Sequence, residues 1–152
     1  MKGDDYMPDR KIEELSELVT MAMLTGMTLE PVTPWEPDPA EATALAKTLW
    51  GECQGCSEIQ QKAVAWCIFN RVDSEQFPDT VIEVITQPSQ FFGYRESFPV
   101  TDELYDLACE CLTDWHNGEN RVLEPEFLYF TGNGRINIFR TGWNSGDVWA
   151  EE

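Results

Sequence analysis

The chain has 152 residues, with 28 acidic against 10 basic side chains and a formal net charge of −18. It has no cluster of Lys and Arg to displace counterions from phosphate, which argues against nucleic acid as a partner and against attraction to anionic lipid. No apolar run approaches the roughly 20 residues of a membrane-spanning helix, and the start, MKGDDYMPDRKIEE, has no apolar segment after its lysine, so neither membrane insertion nor a secretory signal is expected.

Residues 1–37 differ in character from the remainder of the chain. From Asp9 to Gly26 the apolar positions Ile12, Leu15, Leu18, Val19, Ala22 and Met23 recur at helical spacing, with Gly26 as a C-cap. A proline-rich connector, TLEPVTPWEPDP, leads out of it. This divides the chain into an N-terminal helical arm with its connector, residues 1–37, and a domain over residues 38–152. The arm reads as a packed helix or as a docking helix for a partner.

Asp38-Pro39-Ala40-Glu41 combines an N-cap, a first-turn proline and an early glutamate, a strong helix start. That helix runs through Leu45 and Leu49 to Gly51-Glu52, and Gln54-Gly55 makes a corner. Ser57 and Gln60 cap a second helix, Glu58 to about Val72, which is apolar on most faces and belongs at the centre of a bundle. Asn70-Arg71 places polar side chains at its far end. A short third helix follows Phe77-Pro78-Asp79-Thr80, and Ser89 to Pro99 forms an aromatic loop. Thr101-Asp102-Glu103 caps a fourth helix that ends before Gly118. The strand-like runs Phe127–Phe130 and Ile136–Phe139 flank Asn133-Gly134, a favoured hairpin turn. The fold class is α+β, mostly α, with a small C-terminal β-hairpin.

Glu52 is the candidate for chemistry. It sits where one helix ends against a wall of apolar residues, and a carboxylate that loses hydration there has its pKa raised into the range useful for proton donation. Glu58 and Asp73, the other carboxylates considered as its partner, read as surface residues.

The order of these segments resembles the cell-wall hydrolase family that includes the spore cortex-lytic enzymes (SleB/CwlJ-like). The resemblance spans residues 44–140. It rests on Leu45-Ala46, Trp50-Gly51-Glu52 and Gly55, on Gln61 and Ala63-Val64-Ala65, and on Asn70-Arg71-Val72. Phe77-Pro78-Asp79-Thr80-Val81, Ser89-Gln90-Phe91, Tyr129-Phe130 and the stretch from Gly134 to Arg140 complete it. Cys56 departs from the family pattern, where a second glutamate stands, and Asn137 falls at or near a histidine common in the family.

The resemblance implies a lysozyme-like fold acting on peptidoglycan glycan strands at the cell wall or spore cortex, after synthesis in a bacterial or phage-infected cytoplasm. The bond cut would be the β-1,4 link from MurNAc to GlcNAc. Most glycosidases need two carboxylates; a lytic transglycosylase needs one, and Glu52 would serve as that acid and base. Gln90, Phe91 and the neighbouring Phe92, together with Tyr129 and Asn70, are the expected sugar contacts. Core packing for Phe91 and Tyr129, and helix capping for Asn70, are the plainer roles. The competing possibility is a non-enzymatic glycan-binding or partner-docking member of the same fold.

No cofactor and no metal are expected. Cys109 and Cys111 are two apart on a helix and point in different directions, unlike a zinc knuckle, so the cysteines read as small buried hydrophobes. Cys53 and Cys56, flanking the acid, form a disulfide or redox switch in the alternative reading. His116 lies at a helix end, where it serves the helix terminus better than it serves as a catalytic base.

Overall fold

The structure, a computed structural model, describes residues 17, 20, 23–26, 33–88, 93–133 and 135–150. The chain divides into two compact units, residues 1–36 and 37–152. In the first, residues 17, 20 and 23–25 are helical and Gly26 takes a left-handed φ of 71°. The rest of the expected arm helix lies outside the described residues.

The second unit begins with α1, Pro39–Cys53. The Asp38 carboxylate accepts a hydrogen bond from the Ala40 N–H at 2.8 Å and proline occupies the first turn, as the sequence predicts. Ala42, Leu45, Ala46, Leu49 and Cys53 make a buried stripe along it. Ser57 caps α2, Glu58–Asp73, in which residues 63–71 are buried on all sides. That helix is the axle of the unit. It packs against α1, α3 (Val81–Thr86), α4 (Asp102–Asn117) and the first strand. Phe69 on α2 stacks on Trp115 of α4 with ring centroids 4.6 Å apart, while Trp66 meets Phe69 edge-on. Thr80 and Thr101 cap α3 and α4, and Gly118 ends α4 at φ 68°, its N–H donating to the Asp114 and Trp115 carbonyls.

The carboxy-terminal part is a three-stranded antiparallel sheet in the order β1 (Tyr129–Gly132), β2 (Asn137–Gly142), β3 (Ser145–Trp149). The expected hairpin is present as β1–β2, with Phe130 opposite Phe139. Asn133 organises its turn by accepting the Arg135 and Ile136 N–H groups on its side-chain oxygen, both at 3.0 Å. β3 corrects the single-hairpin expectation. Trp143-Asn144 makes a second tight turn in which Asn144 adopts φ 55°, and Trp149 returns to pack on Phe139. The strand is exposed along most of its length, so the alternation that marks a half-buried strand is missing from its sequence.

Between α4 and β1 the chain runs without regular structure, and its carbonyls need donors. Asn70 and Arg71 supply them. Asn70 Nδ2 donates to the Glu124 carbonyl at 2.8 Å and to the Phe127 carbonyl at 3.1 Å; Arg71 Nε donates to the Leu128 carbonyl at 2.7 Å. Among the described residues no helix is long and apolar enough to cross a membrane.

Candidate active site

Glu52 occupies the last turn of α1, half-buried, and its carboxylate accepts a hydrogen bond from the Gly93 N–H at 2.9 Å. Burial raises its pKa above the usual carboxylate value, and the Gly93 N–H bond partly offsets this by favouring the charged form. The contact needs two glycines. A Cβ on Gly93 would stand 2.6 Å from the Glu52 carboxyl carbon, and one on Gly51 would run into the Gly93 carbonyl and the Phe98 ring. With hydrogen in both places, the backbone of the loop after residue 92 lies directly on the acid. Lys47 Nζ, one turn earlier on α1, holds the same loop through the Glu96 carbonyl at 2.7 Å.

Behind Glu52 the chain turns sharply and is covalently closed. Cys53 and Cys56 form a disulfide, the alternative that the sequence left open for this pair. Asn137 on β2 reaches the bridge: its Nδ2 lies 3.1 Å from Cys53 Sγ and 3.7 Å from Cys56 Sγ, and its backbone N–H donates to Gln60 Oε1 at 2.9 Å. Gln61 Nε2 donates to the Cys53 carbonyl at 3.1 Å. The two departures from the family pattern, Cys56 and Asn137, are thus in contact with each other.

The other expected site residues do not converge on Glu52. Asn70 is 2 % exposed, with its amide given to two carbonyls and its Oδ1 accepting from Arg121 Nη1 at 2.7 Å. Its side chain is thus committed to the connector between α4 and β1 and to Arg121. Tyr129 lies against Arg71, Phe77 and Trp143, at the far end of α2. Gln61, which touches the Cys53 turn, and Arg71, which touches Tyr129, are ten residues apart on that helix, or about 15 Å along its axis. Gln90, Phe91 and Phe92 lie outside the described residues. Glu58 is largely exposed and 3.8 Å from Lys62 Nζ, and Asp73, near the Tyr129 end, accepts from Trp115 Nε1 at 3.0 Å.

Sequence reasoning missed Gly93 and Trp143. A glycine inside an aromatic loop was the available signal for the first; the second, 70 % exposed on a turn, had none beyond its type. A cleft of about 340 Å³ opens near α1's end, lined by Trp50, Gln54, Gln61, Thr101, Leu104 and Leu107 among others, but Glu52 is not part of its wall. Among the described residues no group of three or more His, Cys, Asp or Glu side chains is assembled to hold a metal. Cys67 and Cys111 are buried thiols whose pKa values burial pushes up to about 12, which suits packing and not nucleophilic attack.

A mostly helical domain with a small antiparallel sheet, with the half-buried carboxylate of Glu52 at a helix end, is the class of protein defined here. The family described as Cell Wall Hydrolase matches residues 55–147, and the chain belongs to that family. Glu52 lies just before the matched span. Among curated proteins, a spore cortex-lytic enzyme of Oceanobacillus iheyensis is 38% identical over 74 residues, covering 49% of this chain and 26% of that protein. The match therefore spans about a quarter of that relative's length. No solved structure gives a significant match.

Proposed function

We propose that the protein degrades peptidoglycan by cutting the MurNAc–GlcNAc β-1,4 bond, as a lytic transglycosylase of lysozyme-like fold with Glu52 as its acid and base. The observation that carries this is the state of Glu52: half-buried, its pKa raised by burial, and pinned by the Gly93 N–H. Membership of the cell wall hydrolase family supports the substrate class.

The chemistry follows from one carboxyl group. Protonated Glu52 donates to the glycosidic oxygen as the bond to the muramic C1 breaks, leaving an oxocarbenium-like centre. The resulting carboxylate, held in place by Gly93, takes the proton of the muramic C6 hydroxyl, and O6 closes on C1. The proton returns to Glu52, and the product is a 1,6-anhydro sugar with no water consumed. Glu58 and Asp73 have other partners, so neither is assigned the second role that a hydrolytic pathway needs. Tyr129 with Trp143 supplies an aromatic platform for sugars several units away from the cleaved bond, while Gln90 and Phe91 belong to the loop expected over the nearer ones. Cell wall or spore cortex is the setting.

Digestion of purified sacculi, with products analysed by mass, tests this. Fragments lighter by one water than hydrolytic fragments, abolished in Glu52→Gln, are expected. Ordinary reducing ends would make water the nucleophile and require a second carboxylate. Binding without cleavage in wild type and Glu52→Gln alike would replace the enzyme by a glycan-binding module.

A further inference from the structure

The proposed chemistry leaves the Cys53–Cys56 bridge without a task, although it closes the turn directly behind the acid. The two sulfurs are unequal. Cys53 is 1% exposed, whereas Cys56 is only half-buried and precedes the Ser57 cap of α2. Cys56 is the more accessible residue of the pair, so Cys56 Sγ is the sulfur an incoming thiolate is expected to attack, which makes Cys53 the leaving sulfur. Asn137 Nδ2 lies 3.1 Å from that leaving sulfur, a donor placed where negative charge would develop.

We propose that Cys56 Sγ is a thiol–disulfide exchange site, through which a dithiol reductant opens the bridge and weakens the Glu52 centre. The proposal rests on Glu52 being the acid of the reaction. The partner class is a dithiol, either a small molecule or a protein with two vicinal cysteines. Its first thiolate bonds to Cys56 Sγ as the Cys56–Cys53 bond breaks, and Cys53 leaves with the electron pair and takes a proton. The second thiol then attacks the mixed disulfide and releases Cys56 as a thiol. Two electrons and two protons pass to the protein, and the dithiol becomes a disulfide.

Opening the bridge reaches the acid because Glu52 and Cys53 are adjacent on the last turn of α1. In the closed form the Cys53 and Cys56 Cα atoms are held 5.1 Å apart. Once it opens, the covalent tie is lost and the turn is held by non-covalent contacts, among them the Cys56 N–H and Gln61 Nε2 bonds to the Cys53 carbonyl and the Asn137 amide. A helix end held by fewer ties frays more readily. Fraying hydrates Glu52, and because burial is the larger influence on that group, its titration midpoint moves down toward an ordinary carboxylate. A lower midpoint leaves less of Glu52 protonated near neutral pH, and so less acid ready to donate.

The full chain is compared in oxidised form and after dithiothreitol. Thiol counting under denaturing conditions verifies the change from three free cysteines to all five. The Glu52 carboxyl is followed by ¹³C NMR titration alongside the sacculus digestion. Reduction is expected to lower the Glu52 midpoint and slow cleavage, with recovery on reoxidation, and Cys56→Ser is expected to hold the reduced behaviour whether or not dithiothreitol is present. Five free thiols in air-oxidised protein, or one Glu52 midpoint shared by both redox forms, would overturn the proposal. A midpoint that moves while neither form cleaves sacculi would uphold the coupling and reject the enzymatic function instead.

Discussion

Replacing Asn70 by alanine separates a structural role from a sugar-binding one. In the folded chain the Asn70 amide donates to the carbonyls of Glu124 and Phe127, and its Oδ1 accepts from the Arg121 guanidinium. Each neutral bond contributes about 1 kcal/mol net, and the charge-assisted one about 2 kcal/mol, so removing all three costs about 4 kcal/mol. Arg121 keeps its bond to the Leu123 carbonyl, so its charge is not stranded entirely. With a urea m-value of about 2 kcal/mol/M, the unfolding midpoint falls by about 2 M at constant m. Tryptophan fluorescence reads the transition, since Trp66 lies in the core under Arg121 and Trp115 packs against that core. Asn70→Asp is expected to be no better, because it retains the acceptor for Arg121 but turns oxygen toward the two carbonyls. A midpoint within about 0.3 M of wild type, combined with weaker glycan binding, would refute the structural assignment and restore Asn70 to the sugar site.

Two further outcomes are expected. Gly51→Ala gains helix propensity of about 1 kcal/mol yet drives a Cβ into the Gly93 carbonyl, so the fold is retained while sacculus cleavage falls at least about tenfold; wild-type cleavage by this variant would show that the loop need not lie on the acid. Glu52→Gln is expected to be more stable than wild type near neutral pH. Burial raises the folded-state pKa of Glu52 above its unfolded value, so the folded chain binds the extra proton between the two, and wild-type stability falls as pH rises through that interval. Thermal melts at several pH values should show the variant's advantage above the interval and its disappearance below; an advantage independent of pH would mean that Glu52 is not desolvated in the fold.

How much of this was legible beforehand depends on the range of the interactions involved. The caps at Asp38, Ser57, Thr80 and Thr101, the left-handed Gly118, and the all-round apolar α2 are written within a few residues of where they act. Local patterns of that kind fixed the helices and the β1–β2 hairpin. They also brought out Glu52 as a carboxylate at a helix end against apolar surface. β3 escaped notice because an exposed strand carries little periodicity, and only its pairing with β2 reveals it.

The site itself depends on contacts that no local pattern encodes. Gly93 meets Glu52 across 41 residues of chain, and Asn137 meets Cys53 across 84. Asn70 shows the same limit from the other side. Its residue type suited a sugar contact or a helix cap equally well, and what decided its role was the irregular connector 121–128, whose carbonyls needed donors once α2 and the sheet had packed around them. Sequence alone determined which residue types were on offer and which segments were helical. Tertiary structure decided which backbone groups were left without partners, and therefore which side chains were consumed in satisfying them and which, like Glu52, were left half-buried at the edge of the core.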